Sequence, residues 1–114
     1  MEVEARKPGK LAEAEALRAA LSPGVHLVAC DEHGGALPSR AFADRLARLR
    51  DSGVRHVAYL IGGADGLAPA LISQADETLA FGPQTWPHAL VRAMLAEQVY
   101  RATTILAGSP YHRD

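Results

Sequence analysis

An α/β fold built on a parallel sheet is predicted by three features of this 114-residue sequence. Apolar runs and amphipathic stretches alternate along the chain, as in strands joined by helices. The best strand candidates, Val25–Cys30 and Val54–Ile61, are nearly continuous in apolar residues. That composition suits a strand buried on both faces between helices. Glycine-containing loops follow the predicted strands at Cys30–Gly35, Gly62–Gly66 and Gly82–Pro87.

The elements follow in order. Met1–Ala5 is a short strand candidate, and Arg6-Lys7-Pro8-Gly9-Lys10 is a basic turn. An Ala- and Glu-rich helix is expected over Leu11–Leu21, stopped by Ser22-Pro23-Gly24. Val25–Cys30 is the next strand, and Asp31-Glu32-His33-Gly34-Gly35 reads as a polar loop. Pro38-Ser39 opens a helix over Arg40–Asp51, with Ala43, Leu46, Ala47 and Leu49 near helical period, ended by Ser52-Gly53. Val54–Ile61 is a strand, Pro69–Ala75 a short helix and Glu77–Phe81 a short strand. From Thr85-Trp86-Pro87 a helix runs to about Ala107, with a broad stripe of Leu90, Val91, Met94, Leu95, Val99, Ala102, Ile105 and Leu106. Every chemically capable cluster lies in the stretch from Phe81 onward or is expected to pack against it.

Composition narrows the function classes. Hydrophobic residues make up 48% and charged residues 22%, the balance of a globular domain. Net charge is −1, with 12 Lys and Arg against 13 Asp and Glu, which argues against binding nucleic acid through a broad electrostatic surface. Cys30 is the only cysteine, so no intrachain disulfide is possible and a reducing compartment is expected. No apolar run is long enough to span a bilayer, and the N-terminus has no signal-peptide core. A soluble cytoplasmic protein with no membrane partner is the expectation.

In open α/β sheets ligands sit outside the carboxyl ends of the strands, which here means the three glycine-containing loops. Pro83 and Pro87 fix φ and restrain their neighbours, so the last of these loops makes a stiff wall for a small planar ligand. Gly62-Gly63-Ala64-Asp65-Gly66 matches neither the dinucleotide fingerprint nor a P-loop. His26, His33, His56, His88 and His112 are scattered, with no pair at ligand spacing on one helix, so no metal site is expected. No nucleophile elbow is present. Cys30 ends an apolar strand and reads first as a small core residue, and Asp65 as a turn or helix cap.

Several motifs resemble a known family. Leu60-Ile61-Gly62-Gly63-Ala64-Asp65-Gly66-Leu67, Pro87-His88-Ala89-Leu90-Val91-Arg92, Ala96-Glu97-Gln98-Val99-Tyr100-Arg101-Ala102 and Pro110-Tyr111-His112-Arg113 occur in order. Together they resemble the ribosomal RNA large subunit methyltransferase H family of small SPOUT-class enzymes. The resemblance implies a parallel α/β SPOUT-type fold with a C-terminal trefoil knot, an obligate homodimer and S-adenosylmethionine as cofactor. The implied reaction is N3-methylation of a pseudouridine in large-subunit rRNA on the assembled ribosome. Shape recognition on a preformed particle would accommodate the near-zero net charge. Carried over by motif, the cofactor pocket would use Cys30 (usually Leu in the family), Gly62, Gly63 and the loop Gly82, Pro83, Gln84, Thr85, Trp86 and Pro87. The tail Tyr111, His112 and Arg113 would reach the active site, that of the partner subunit. Ala64-Asp65, Gln84 and Trp86 differ from common family choices, and Ser109 stands where His usually precedes Pro-Tyr-His. The family usually carries a further strand and helix ahead of the segment matching Met1, so one N-terminally short SPOUT domain over residues 1–114 is expected.

The implied chemistry makes demands of its own. N3 must lose a proton, and negative charge developing on the base must be stabilised. Arg113 or Arg101 could supply that stabilisation, and His112 or His88 could accept the proton. Two other readings compete with the enzyme. One is a non-catalytic dimeric SPOUT remnant whose activity went with its N-terminal unit. The other is a SPOUT enzyme acting on tRNA, against which the Pro110–Arg113 tail argues.

Overall fold

Two strands whose side chains are buried on both faces form the middle of the sheet. The computed structural model describes residues 2–6, 24–62 and 66–113. In chain order it contains β1 (Glu2–Arg6), β2 (His26–Ala36), α1 (Ser39–Asp51), β3 (His56–Ile61), α2 (Pro69–Gln74), β4 (Glu77–Ala80) and α3 (His88–Leu106). The strands are parallel in the order β1-β3-β2-β4. The expected helix at Leu11–Leu21, and the basic turn beyond Arg6, lie outside the described residues.

Alternation along β2 and β3 explains their continuous apolar runs. Val28, Val57, Tyr59 and Ile61 face one cluster, with Phe42, Ala43, Leu46 and Leu49 of α1 and Leu95 and Ala102 of α3. Leu27, Ala29, Ala58 and Leu60 face the other, with Leu67 and with Leu71 of α2. A strand covered on both sides has no solvent face to keep polar. Each fully buried aliphatic side chain here contributes about 1.5–3 kcal/mol of transfer free energy.

Helix ends match local chemistry. Gly53, at φ +94°, takes the left-handed geometry that ends α1, while Arg48 and Arg50 lie in its negative last turn. Pro87 precedes α3, and its carbonyl accepts from the Val91 amide at 3.0 Å. The observed helix starts at His88, just past the Thr85-Trp86-Pro87 start expected. Its buried set is narrower than its apolar stripe: Leu95, Ala102 and Thr104 are buried, while Leu90 and Leu106 are exposed.

One expectation is corrected. Asp31–Gly35 is not a free loop, because β2 continues to Ala36. Leu79 of β4 is the register partner of both Cys30 and Gly35, so Asp31–Gly34 form an insertion within the strand, like an enlarged bulge. Gly34 makes this possible. A Cβ there would lie 2.8 Å from the Leu79 amide nitrogen and 2.9 Å from the Thr78 carbonyl carbon.

At the amino ends of β2 and β4 a polar clamp holds the two strands together. The Asp76 carboxylate accepts from the Leu27 amide at 2.7 Å, and Leu27 O accepts from the Asp76 amide at 2.7 Å. Glu77 Oε2 accepts from Arg45 Nη2 at 2.6 Å, from Arg45 Nε at 2.9 Å and from His26 Nε2 at 2.8 Å.

Candidate functional site

A cleft of about 700 Å³ opens at the carboxyl ends of β2, β3 and β4. That volume lies within the range of pockets that enclose a drug-sized molecule. Its lining joins Cys30, Asp31 and Glu32 from β2 and Ile61 and Gly62 from the end of β3. Gly66 and Leu67, Leu79–Phe81, Gln84–His88 and Val91 complete it. Described residues of all three segments singled out in the sequence, Cys30–Glu32, Gly62 with Gly66, and Gln84–Pro87, therefore converge on one space, in keeping with the strand-end rule for open α/β sheets.

The predicted cofactor residues divide into lining and support. Cys30, Gly62, Gln84, Thr85, Trp86 and Pro87 line the cleft. Gly82 and Pro83 build the turn behind it, with Gly82 at φ +94°, a geometry that strains any residue with a Cβ. Gly63 lies outside the described residues. Trp86 is fastened to the turn, since its indole Nε1–H donates to the Phe81 carbonyl at 3.0 Å. Trp86 as a residue is still 37% exposed and lines the cleft rather than sitting in the core.

The floor and the rim differ in chemistry. Ile61, Leu67, Leu79, Ala80 and Val91 give an apolar interior, and Asp31 and Glu32 put carboxylates beside it. The Asp31 carboxylate accepts from the His33 amide at 3.0 Å and contacts His33 Nδ1 at 3.2 Å. Glu32 accepts a hydrogen bond from the Thr85 hydroxyl. A polar loop over Asp31–Gly35, as the sequence predicts, gives these carboxylates no role. Their signal was position, directly after a strand that ends at a candidate site.

Cys30 is half-buried on the cleft floor, and burial pushes its thiol pKa up to about 12. It is therefore a neutral, small, polarisable wall and not a nucleophile. Disulfide-exchange reagents are expected to modify native Cys30 at least about 100-fold more slowly than the unfolded chain, measured by absorbance. Equal rates would show that the thiol is open and ionisable.

The catalytic candidates occupy two places. His88 lines the cleft at the first residue of α3. Tyr111, His112 and Arg113 do not line the cleft of their own chain, and neither does Arg101. The tail instead folds back on α3. Arg101 binds Glu97 through Nη2 at 2.7 Å, and Arg101 Nη1 donates to His112 Nδ1 at 3.0 Å. Guanidinium has only donors, so His112 Nδ1 must present its lone pair there. Tyr111 OH donates to Glu97 at 3.2 Å, its ring meets Tyr100 edge-on at 5.0 Å, and the Arg101 guanidinium carbon lies 4.9 Å from its centroid. The Arg101 hydrogen bonds outweigh slight desolvation and hold the Glu97 carboxyl below the usual carboxylate range.

Among the described residues no group of His, Cys, Asp and Glu could hold a metal ion. Among them, too, no helix is long and apolar enough to cross a membrane.

Comparison with known proteins adds ancestry to this geometry. Residues 2–112 match the family described as "Predicted SPOUT methyltransferase". The sequence is 74% identical over 114 residues to ribosomal RNA large subunit methyltransferase H of Phenylobacterium zucineum (strain HLK1), covering 100% of this chain and 73% of that protein. It is 60% identical over 114 residues to the protein of the same name from Cereibacter sphaeroides (strain ATCC 17025 / ATH 2.4.3), covering 99% and 73%. Among solved structures, the SpoU methyltransferase AviRb from Streptomyces viridochromogenes in complex with AdoMet superposes with a TM-score of 0.47 at 23% identity. The match covers 87% of this chain and 34% of that one.

Proposed function

The chain belongs to the SPOUT methyltransferases, within the ribosomal RNA large subunit methyltransferase H family, and from that premise we propose that it is an S-adenosylmethionine-dependent methyltransferase acting on large-subunit rRNA. The observation that carries the proposal is the convergence of Cys30–Glu32, Gly62 with Gly66, and Gln84–Pro87 on one cleft. Bound there, the cofactor supplies an electrophilic methyl group on a sulfonium centre.

The residues present fit such a molecule. The apolar interior suits a nucleoside, and Asp31 places negative charge at the rim for a ligand bearing positive groups. Gly62 brings bare backbone to the wall: a Cβ there would lie 2.5 Å from the Gly66 carbonyl carbon. In this reading Cys30 and Gly62, with Gly63, form one side of the pocket, and Gln84–Pro87 on the turn Gly82-Pro83 form the other.

The finer reading is N3-methylation of a pseudouridine on the assembled ribosome by a homodimer with a C-terminal trefoil knot, in the cytoplasm. Exposed Leu90, Tyr100 and Leu106 on α3 support a partner on that helix, since its apolar stripe is only partly covered within the chain. The tail then serves the partner's cleft. Tyr111 packs a base, Arg101 or Arg113 stabilises the charge that develops on it, and an imidazole, His88 or His112, accepts the N3 proton. His88 is already at the cleft, whereas His112 must leave Arg101 to accept a proton at Nδ1.

The test is methyl transfer from radiolabelled S-adenosylmethionine to ribosomal particles that lack the modification, with the labelled nucleotide mapped by mass spectrometry. Label at N3 of a large-subunit pseudouridine is expected. Label on tRNA alone, or none, would contradict the proposal.

Trp86 provides a second readout, because it is the only tryptophan. Cofactor titration is expected to change its emission saturably. Trp86→Ala should weaken binding about tenfold, the worth of one good aromatic contact. Unchanged emission at saturating cofactor would place the ligand elsewhere.

A further inference from the structure

The insertion in β2 reaches across the cleft to the loop before α3. Asp31–Gly34 leave the register between Cys30 and Gly35, and the first two of them, Asp31 and Glu32, line the cleft. Three features hold this insertion in shape. Gly34 presses on the Thr78–Leu79 backbone, closer than any side chain could. Asp31 ties down the His33 amide at 3.0 Å. The Glu32 carboxylate accepts from the Thr85 hydroxyl, a contact between residues 53 apart in sequence. Thr85 belongs to the stretch that supplies Gln84–Pro87 to the cleft wall, and nothing else in that stretch bonds to β2 among the described contacts.

We infer that Glu32 is a positioning residue. Through Thr85 it clasps the insertion of β2 to the loop before α3, and so sets how tightly and how long the cleft holds its cofactor. The inference rests on the reading of the cleft as the S-adenosylmethionine site. A wall loop stiffened by Pro83 and Pro87 is already restricted in φ, so one cross-link at its middle is enough to define where Gln84 and Trp86 stand. An ionised acceptor makes that cross-link stronger than a neutral pair. Glu32 and Thr85 are both exposed at the mouth, so the clasp can open without disturbing the core.

The test is a double-mutant cycle on the full chain, with S-adenosylmethionine as the probe and Trp86 emission as the signal. Affinity is read by titration and release by stopped flow. Glu32→Ala and Thr85→Val are each expected to weaken binding and speed release about tenfold, and the double variant no more than either alone. Glu32→Gln keeps a carbonyl acceptor and should recover to within about threefold of the parent. In steady state the Ala variant should raise KM for the cofactor with kcat at saturation within about twofold, a split that general loosening of the fold would not produce. Additive effects in the double variant would overturn the clasp. So would a Gln variant as weak as the Ala variant, because the carboxylate would then act by its charge on the ligand and not through Thr85. If the parent chain itself does not bind, the cofactor reading falls with it. If the parent binds and all variants match it, only the clasp falls.

Discussion

Gly62→Ala is expected to weaken cofactor binding about 100-fold and to lower stability by about 2 kcal/mol. The added methyl would meet the Gly66 carbonyl carbon at 2.5 Å, the Leu67 nitrogen at 2.7 Å and the Gly66 Cα at 2.8 Å. All three are backbone atoms, so no rotamer change can relieve the overlap. Either the end of β3 or the segment at Gly66–Leu67 must move, and both line the cleft. Displacing a binding wall by on the order of 1 Å commonly costs about 100-fold in function, and overpacking costs about 1–3 kcal/mol. Gly35→Ala is the matched control. A Cβ there meets nothing within 4 Å and its φ is not positive, so it should change stability by less than about 0.5 kcal/mol. Titration calorimetry and thermal melts of the two variants side by side measure both effects. Equal behaviour would show that Gly62 is not a close-approach position.

The second large effect falls on the polar clamp at the opposite end of the sheet. Glu77→Ala is expected to cost about 2 kcal/mol, lowering Tm by about 8 °C for a chain of this size. The carboxylate joins Arg45 of α1 to His26 of β2, with its side chain 24% exposed. Burial alone would raise the Glu77 pKa, but hydrogen bonds from Arg45 and His26 outweigh it and hold the carboxyl below its ordinary value. A group with a depressed folded-state pKa contributes its full stability above the unfolded value, near 4.3. That contribution is lost as pH falls through the lower folded value. Stability measured by denaturant unfolding should therefore drop on the acid side in the parent chain. Glu77→Gln should flatten that limb while costing less than Glu77→Ala at neutral pH. An acid limb identical in parent and Gln variant would mean that the clamp carries no linked proton.

The strands and the location of the site were legible because one physical rule served both. Val57–Ile61 is apolar at every position because its side chains alternate between two buried clusters, and that same two-sided burial forces ligands to the strand ends. Cys30, Gly62 and Thr85–Pro87 were accordingly found at the cleft. The continuation of β2 through Asp31–Ala36 was not legible. Charged residues and two glycines read as a turn, and only the packing of Gly34 on Thr78 and Leu79 shows why the chain stays on the sheet. Tertiary pairing overrides local propensity there. The sequence predicts that the tail serves the partner subunit's active site; within one chain Tyr111 is bound to Glu97 and His112 to Arg101 of α3, an arrangement the sequence does not spell out. Sequence carries the residue types of such a cluster but not the direction in which a terminal segment turns. The partial burial of α3 had the same cause: an apolar stripe states which face seeks cover, not whether the cover comes from the same chain.

The most direct test of the central claim is calorimetric titration of S-adenosylmethionine into the 114-residue chain, with folding verified by circular dichroism. Saturable binding at about one ligand per cleft, strongly weakened by Gly62→Ala and preserved in Gly35→Ala, is the predicted result. A folded chain that shows no binding, or binding that Gly62→Ala leaves intact, would contradict the assignment of this cleft as the cofactor site.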